Sequence, residues 1–537
     1  MKNLTIVMAQ QNALVGAVER NAEKILATIH AHPHADLIVF PELALTGYPP
    51  EDWLFRKEFQ KRVIQTLEKL CQAIGDVYAA IGHPRWEGEN CFNSVSIIHH
   101  GKIILSYDKQ CLPNYGVFDE RRYFTEGNKT GIFELKGTKI GVLICEDLWH
   151  PGPWGKTVKA GAECLILLNA SPFNRNKYNE RKKILHFRQE TEGNVPIVYV
   201  NRVGGQDELV FDGQSFVMNA EGEIVTKLPA FEESSFTFTL AAGNALSSSK
   251  EGTVCFPFEK EALVYQALVC GTRDYVQKNG FSDVLIGLSG GIDSALTLAI
   301  AVDALGQDHV TAVFMPSRYT AVISGEEAQA QAKLLGVEYH EISIEEIFEA
   351  FLKNLNPLLS SFSADITEEN IQSRCRGILL MALSNKMRKL VLTTGNKSEL
   401  AMGYCTLYGD MAGGLDVLKD VTKTWVYRLA HYRNQQAIVI PERIIDRPPS
   451  AELSFNQKDE DSLPPYAVLD EIIERYVEAN QSPEQIIASG IPEETVLRVI
   501  KAIHQNEYKR RQAPPGIKVT GSAFGRDWRY PMTSIRY

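Results

Sequence analysis

What this chain lacks narrows its nature before any motif is read. No stretch approaches the ~20 apolar residues that a membrane-spanning helix needs, so no such helix is expected. The opening MKNLTIVMAQ has neither the long apolar run nor the small-residue cleavage site of a secretory leader, and none is expected. No CxxC pair occurs among the nine cysteines, at positions 71, 91, 111, 145, 164, 255, 270, 375 and 405. An odd number of scattered thiols, several inside apolar segments, does not build a disulfide scaffold, and the cytoplasm is the expected compartment. Charge of one sign is scarce: 56 Lys and Arg against 66 Asp and Glu leave a net −10. The concentrated basic footprint of a nucleic-acid binder is missing, so no nucleic acid and no membrane is expected as partner. A small acidic substrate stays open, because a pocket can be basic inside an acidic whole. There is no internal repeat, no low-complexity tract, and no GxxxxGK[ST] of a kinase-style P-loop.

What is present is an ordinary globular composition, 44% hydrophobic and 23% charged, over 537 residues. That length exceeds what one core usually serves, so two or three domains are expected. The first part alternates short strands with helical patterns, with strands expected at residues 4–9, 37–40, 77–81, 94–98, 139–144, 164–169 and 197–200. Phe55, Phe59, Val63, Leu67, Leu70 and Ile74 recur at helical spacing between them. His99-His100-Gly101-Lys102 and Asn219-Ala220-Glu221-Gly222 read as hairpin turns, so the sheet structure is not wholly parallel. The expected architecture of residues 1–242 is an α-β-β-α sandwich. Residues 241–253 are small and polar, and a linker is expected over 243–258.

Residues 259–537 read as a second α/β domain with a parallel sheet. A helix over 260–278 is followed by a strand over 283–288, a Ser-Gly-Gly turn and a helix from Asp293. A strand over 310–315, a helix from Ser324 with Glu327 placed as a capping box, and a strand near 339–342 continue the alternation. A helix over 369–388 and a strand over 390–393 complete the βαβ series. Residues 441–465, rich in Pro and acids, are expected to form a long loop.

The sharpest motif is Ser289-Gly290-Gly291-Ile292-Asp293-Ser294, between strand and helix. Adjacent glycines let backbone approach a polyanion, and the helix N-terminal amides with the Ser289 and Ser294 hydroxyls can hold phosphate oxygens. Asp293 beside a phosphate calls for a bridging Mg²⁺. The pattern resembles the PP-loop of the ATP pyrophosphatases, which cleave ATP between the α and β phosphates and form an adenylated intermediate.

In the first domain, Glu42, Lys109 and Cys145 each stand just past an expected strand. Amide hydrolysis through a thioester needs a thiolate, a base to generate it, and a cation or donors for the oxyanion. Taken singly, a strand-end Glu or Lys is usually solvated and a Cys after apolar residues is usually core. A Cys–His pair using His150 or His186 is the rival arrangement. The surrounding segments PELALTGYPPEDW, YDKQCLPNYGVFDERRYF and GVLICEDLW resemble the three catalytic segments of the nitrilase superfamily, in that order.

Together the halves are similar to the glutamine-dependent NAD⁺ synthetase family over nearly the whole chain. Further segments agree, among them ENIQSR at 369–374, TGNKSE at 394–399, YGD at 408–410, DEDSLPPY at 459–466 and GRDWR at 525–529. On composition alone, 459–461 would be a solvated loop and 509–511 a surface basic patch. The resemblance implies Glu42 as general base, Lys109 as oxyanion stabiliser and Cys145 as nucleophile, with Tyr115, Ser171 and Lys177 holding glutamine. It further implies ATP contacts from Gly287, Leu288, Ser289, Gly290, Gly291, Ile292, Asp293, Ser294 and Thr394. Asn370, Glu399 and Lys509 would contact deamido-NAD⁺, and Asp293 and Glu399 would hold Mg²⁺. Arg175 competes with Lys177 for its role, and Arg510 and Arg511 with Lys509. The implied reaction amidates deamido-NAD⁺ with glutamine-derived ammonia, giving AMP, pyrophosphate and glutamate in the last step of NAD⁺ biosynthesis. A sheltered passage for ammonia and a homo-oligomer are expected. Two alternatives stay open: an amidotransferase acting on another carboxylate or a nucleobase, and a plain amidase with a nucleotide-sensing module.

Overall fold

The computed structural model describes residues 3–241, 246–248, 259–363, 365–455, 457, 459–461 and 463–534. The chain forms two compact units, residues 1–206 with 210–258, and residues 207–209 with 259–537.

The first unit contains two large sheets. One has seven strands in the order Leu246–Ser248, Ser234–Leu240, Leu4–Gln10, Leu37–Val39, Tyr78–Glu87, Asn90–His99, Lys102–Asp108. The other has six, in the order Ile224–Lys227, Phe216–Met218, Ile197–Asn201, Cys164–Asn169, Thr138–Ile144, Gly131–Leu135. The period-two pattern of each strand sets its facing. Leu4, Ile6, Met8, Val95 and Ile97 of the first sheet share one core with Ile140, Val142, Ile144 and Ile166 of the second. Helices Val18–Ala31 and Lys57–Ala73 pack on each other and bury Val18, Ala22, Ile25 and Ile29 on one and Phe59, Val63 and Leu70 on the other. That is the expected α-β-β-α sandwich. Both hairpins form: Asn90–His99 pairs antiparallel with Lys102–Asp108, and Phe216–Met218 with Ile224–Lys227. Most of the expected linker, 243–258, lies outside the described residues. Its segment Leu246–Ser248 is a strand paired with Ser234–Leu240, because its backbone completes an otherwise open sheet edge.

The second unit is built on five parallel strands in the order Glu338–Glu341, Val310–Phe314, Val284–Gly287, Leu390–Thr393, Leu415–Asp416. The chain leaves Val284–Gly287 on one side, then crosses to its other side at Leu390–Thr393. In such sheets the crevice at this reversal, outside the carboxyl ends of the strands, is where ligands bind. Among the described residues, no helix is long and apolar enough to cross a membrane.

Two expectations fail locally. The helix expected from Ser324 spans Val322–Leu335, and Ser324 lies inside it and caps nothing. Its hydroxyl donates to Glu452 Oε1 at 2.8 Å instead, a tertiary partner outcompeting the local one. The region 441–465 is not one loop: it contains helix Glu442–Asp446, which buries Ile444 and Ile445, and a short 3₁₀ turn at Asp459–Asp461.

Candidate functional site

The strand Thr138–Ile144 ends in a sharp turn at Cys145, whose φ of 39° is a rare conformation for a side-chain-bearing residue. Asp147 pins this elbow. Its carboxylate accepts from the Ile144 amide at 3.0 Å and the Tyr107 hydroxyl at 2.7 Å. It also accepts from the amides of Gln110 at 3.0 Å and Cys111 at 2.9 Å, immediately after Lys109. One buried acid therefore ties the cysteine turn to the lysine segment.

Lys109 and Glu42 are fully buried, with Lys109 Nζ 2.7 Å from Glu42 Oε1. The same ammonium donates to both oxygens of Glu120, at 2.8 and 2.9 Å. Burial works against the Lys109 charge, yet Glu120 and Glu42 outweigh it and hold the ammonium well above its usual range. Burial pushes Glu120 up to about 7, with Lys109 pulling the other way. Burial also pushes the Cys145 thiol well up, aided by Glu42, Glu146 and Glu120 and opposed by Lys109. His150, the rival partner, bonds Glu146 Oε1 at 3.0 Å instead.

The three expected glutamine contacts surround this centre. Tyr115 donates its hydroxyl to Glu146 at 3.1 and 3.2 Å. Lys177 Nζ lies 4.0 Å over the Trp149 ring and within the electrostatic reach of Cys145. Ser171 follows strand Cys164–Asn169, is buried, and accepts at its hydroxyl from Arg181 Nε at 3.1 Å. Glu120 was not singled out in the sequence. Its signal was only its place inside the segment YDKQCLPNYGVFDERRYF.

In the second unit, residues 287–294 line a cavity of about 290 Å³ at the strand-order reversal, with Thr394 and Glu399 across it. Gly290 has φ +80°, and a Cβ there would stand 2.3 Å from the Ser324 carbonyl oxygen, so only glycine fits. The hydroxyls of Ser289 and Ser294 are 3.0 Å apart, and Ser289 Oγ accepts the Gly291 amide at 3.2 Å. These bonds within the turn preorganise it along the cavity wall.

Lys423, unremarked in the sequence, sits between two carboxylates: Nζ is 2.5 Å from Asp293 Oδ2 and 3.4 Å from Glu399 Oε1. Asn396 braces the same pair, donating from Nδ2 to Asp293 Oδ1 at 2.9 Å while capping the helix of Glu399. Burial and the neighbouring Asp293 push Glu399 up to about 8, Lys423 opposing. Two acids converging on one cation fit a hard dication such as Mg²⁺, which takes one or two carboxylates and completes its shell with phosphates and water. Among the described residues, no group of three or more His, Cys, Asp or Glu side chains could hold a metal unaided.

Asn370 and Lys509 are not among the residues lining that cavity. Both hold one loop beside it: Asn370 accepts from Thr406 at 2.9 Å, and Lys509 donates to the carbonyls of Gly403 at 2.8 Å and Cys405 at 3.1 Å. Asp459, a solvated loop residue on composition, is buried in the cavity wall and accepts from the Tyr466 hydroxyl at 2.8 Å. Arg510 is likewise buried, donating to Leu400, Ala401 and Ile503 carbonyls and to Glu507. Arg376 and Arg447 line the cavity, and neither was foreseen.

Comparison with known proteins agrees with this division. Residues 5–245 match the carbon-nitrogen hydrolase family and residues 264–513 the NAD synthase family. The glutamine-dependent NAD(+) synthetase of Xanthomonas campestris is 48% identical over 539 residues, covering 99% of this chain and 97% of its own. That of Aquifex aeolicus is 44% identical, covering 99% of both. The solved structure of the Acinetobacter baumannii glutamine-dependent NAD⁺ synthetase, in complex with ADP, superposes with a TM-score of 0.81 at 43% identity, covering 99% of this chain and 98% of that one. With both family matches together spanning nearly all of the chain and this identity running its full length, the protein belongs to the glutamine-dependent NAD⁺ synthetase family.

Proposed function

We propose that residues 1–242 release ammonia from glutamine and that residues 259–537 use ATP to join it to deamido-NAD⁺, forming NAD⁺ in the last step of its biosynthesis. Glu42 takes the Cys145 proton, and the thiolate attacks the glutamine side-chain amide. The C–N bond breaks, ammonia leaves, and water cleaves the thioester to glutamate. Lys109 faces the charge that develops on the tetrahedral oxygen. Its own charge is secured by Glu120, so it serves as a fixed cation in a dry site. Tyr115, Ser171 and Lys177 hold the amino-acid end of glutamine.

In the second unit, Gly287–Ser294 and Thr394 hold ATP. Asn370, Glu399 and Lys509 contact deamido-NAD⁺, the first and last through the loop 403–406 that they brace. Asp293 and Glu399 would hold Mg²⁺, which supplies neutralisation of phosphate charge when bound. The nicotinate carboxylate attacks the α-phosphate, pyrophosphate leaves, and ammonia displaces AMP from the mixed anhydride. A cytoplasmic homo-oligomer without nucleic-acid or membrane partners completes the reading.

The observation that carries it is the presence, in one chain, of Cys145 beside a Lys109 shared by Glu42 and Glu120, and of a serine–glycine turn facing a cation-bridged carboxylate pair. Cys145→Ala should abolish NAD⁺ formation driven by glutamine and keep formation driven by ammonium. Asp293→Ala should lose both. Finding ADP and orthophosphate in place of AMP and pyrophosphate would refute the reading.

A further inference from the structure

Three groups bond the Glu42 carboxylate. Lys109 Nζ and Asn93 Nδ2 each donate to Oε1 at 2.7 Å, and the Ala170 amide donates to Oε2 at 2.8 Å. This shell suits an anion. It does not suit the state after Glu42 has taken a proton, when the carboxylic acid itself becomes a donor and needs an acceptor. An ammonium and a backbone N–H have no acceptor to offer. Asn93 has one. Its Oδ1 is buried and, among the described residues, has no hydrogen-bond partner.

Asn93 is also placed to act on more than Glu42. It lies in strand Asn90–His99, 1% exposed, and its backbone carbonyl accepts the Lys109 amide at 2.8 Å. The base and the cation therefore hang from the same residue, one by its side chain and one by its main chain. The other titratable groups facing this centre are Glu120, Tyr48 and Cys145.

We propose that Asn93 is a positioning residue for the glutaminase base, donating to Glu42 as a carboxylate and, with its amide turned end for end, accepting from Glu42 once the Cys145 proton has arrived. The turn exchanges Nδ2 and Oδ1 about one side-chain bond, and the place vacated by Oδ1 has no partner among the described residues to lose. The proton moves from Sγ to the Glu42 carboxylate, stays there while the thioester forms, and is available to the departing nitrogen. This inference rests on the glutaminase reading above.

The test is glutamine hydrolysis by the full chain, followed from pH 5 to 9, in the unaltered protein, Asn93→Leu and Asn93→Asp. Circular dichroism and thermal unfolding identify the variants that fold. Asn93→Leu, of similar volume but unable to donate or accept, should lower kcat by about tenfold to a hundredfold, with KM for glutamine changed less than about threefold. Asn93→Asp can share a proton with Glu42 and so should recover activity toward acid pH, displacing its optimum below that of the unaltered chain. A purely packing role predicts equal losses in both variants with no displacement of the profile. That result, or a folded Asn93→Leu with unchanged kcat, overturns the proposal. Absence of glutamine hydrolysis by the unaltered chain would instead overturn the functional reading on which it rests.

Discussion

Replacing Lys109 with methionine tests the centre of the glutaminase most directly. The substitution keeps an unbranched side chain of nearly the same length and removes one ammonium from between two buried carboxylates, at 2.7 Å from Glu42 and 2.8 Å from Glu120. Breaking a buried ion pair by deleting one partner costs about 3–5 kcal/mol, because the surviving charge stays desolvated. At about 2–4 °C per kcal/mol for a domain of this size, unfolding of the first unit should move down by about 6–20 °C. Part of that loss should be regained at low pH. Glu120, already pushed up to about 7 by burial, then takes a proton in place of its lost counter-ion. Loss of one oxyanion donor alone costs about 10²–10³ in turnover, and the base is disturbed as well. Glutamine-driven NAD⁺ formation should therefore fall at least a hundredfold, while ammonium-driven formation, which does not use this site, stays within about twofold. Calorimetry and the two assays on one preparation decide the matter. If Lys109→Met keeps glutamine turnover within tenfold, Lys109 is a structural counter-ion and the catalytic assignment is wrong.

Two further outcomes follow from the second unit. Gly290→Ala forces a Cβ to 2.3 Å from the Ser324 carbonyl oxygen at a φ of +80°, so synthesis from glutamine and from ammonium should both fall on the order of a hundredfold, with glutamine hydrolysis kept. Retention of synthesis would show that the turn need not approach Ser324. Asp416 is buried with an Oδ1 that has no partner among the described residues, and burial pushes it up from 3.8 to about 7. The folded state therefore holds a proton that the unfolded state releases, and the stability this confers below pH 4 is lost as pH rises through 7. The difference of about three pH units is worth up to about 4 kcal/mol, so the Tm of Asp416→Asn relative to the parent should climb between pH 4 and 8. A Tm difference that is flat with pH would contradict this.

Much of this molecule is legible in the sequence where local pattern and fold agree. Strands such as Cys164–Asn169 are uninterrupted apolar runs because both of their faces are buried, and Cys145 directly follows another such strand, Thr138–Ile144. The serine–glycine turn is legible because a close backbone approach admits few residues. What was not legible is which charges meet. Lys423 lies 130 positions from Asp293, and nothing local distinguishes it from a surface lysine. Glu120 sits among other charges in DERR, and only the fold turns it onto Lys109. Asp459 reads as a loop acid until Tyr466 and the cavity wall enclose it. Ser324 shows the opposite error: a valid local cap was displaced by Glu452, 128 residues away.

The high resting proton affinity of Cys145 has a practical corollary. Alkylating reagents select thiols by their thiolate fraction, and a buried, uncharged thiol faced by carboxylates presents almost none. Blanket labelling with iodoacetamide would thus sample access more than purpose, and half-buried Cys111 and Cys405, whose thiols burial also pushes up to about 12, would compete with Cys145 on exposure alone. An electrophile shaped like an amino-acid amide fares differently. On the proposed reading it is seated among Tyr115, Ser171 and Lys177 and meets a sulfur whose proton Glu42 removes on arrival, so inhibitors should gain selectivity from shape before warhead strength.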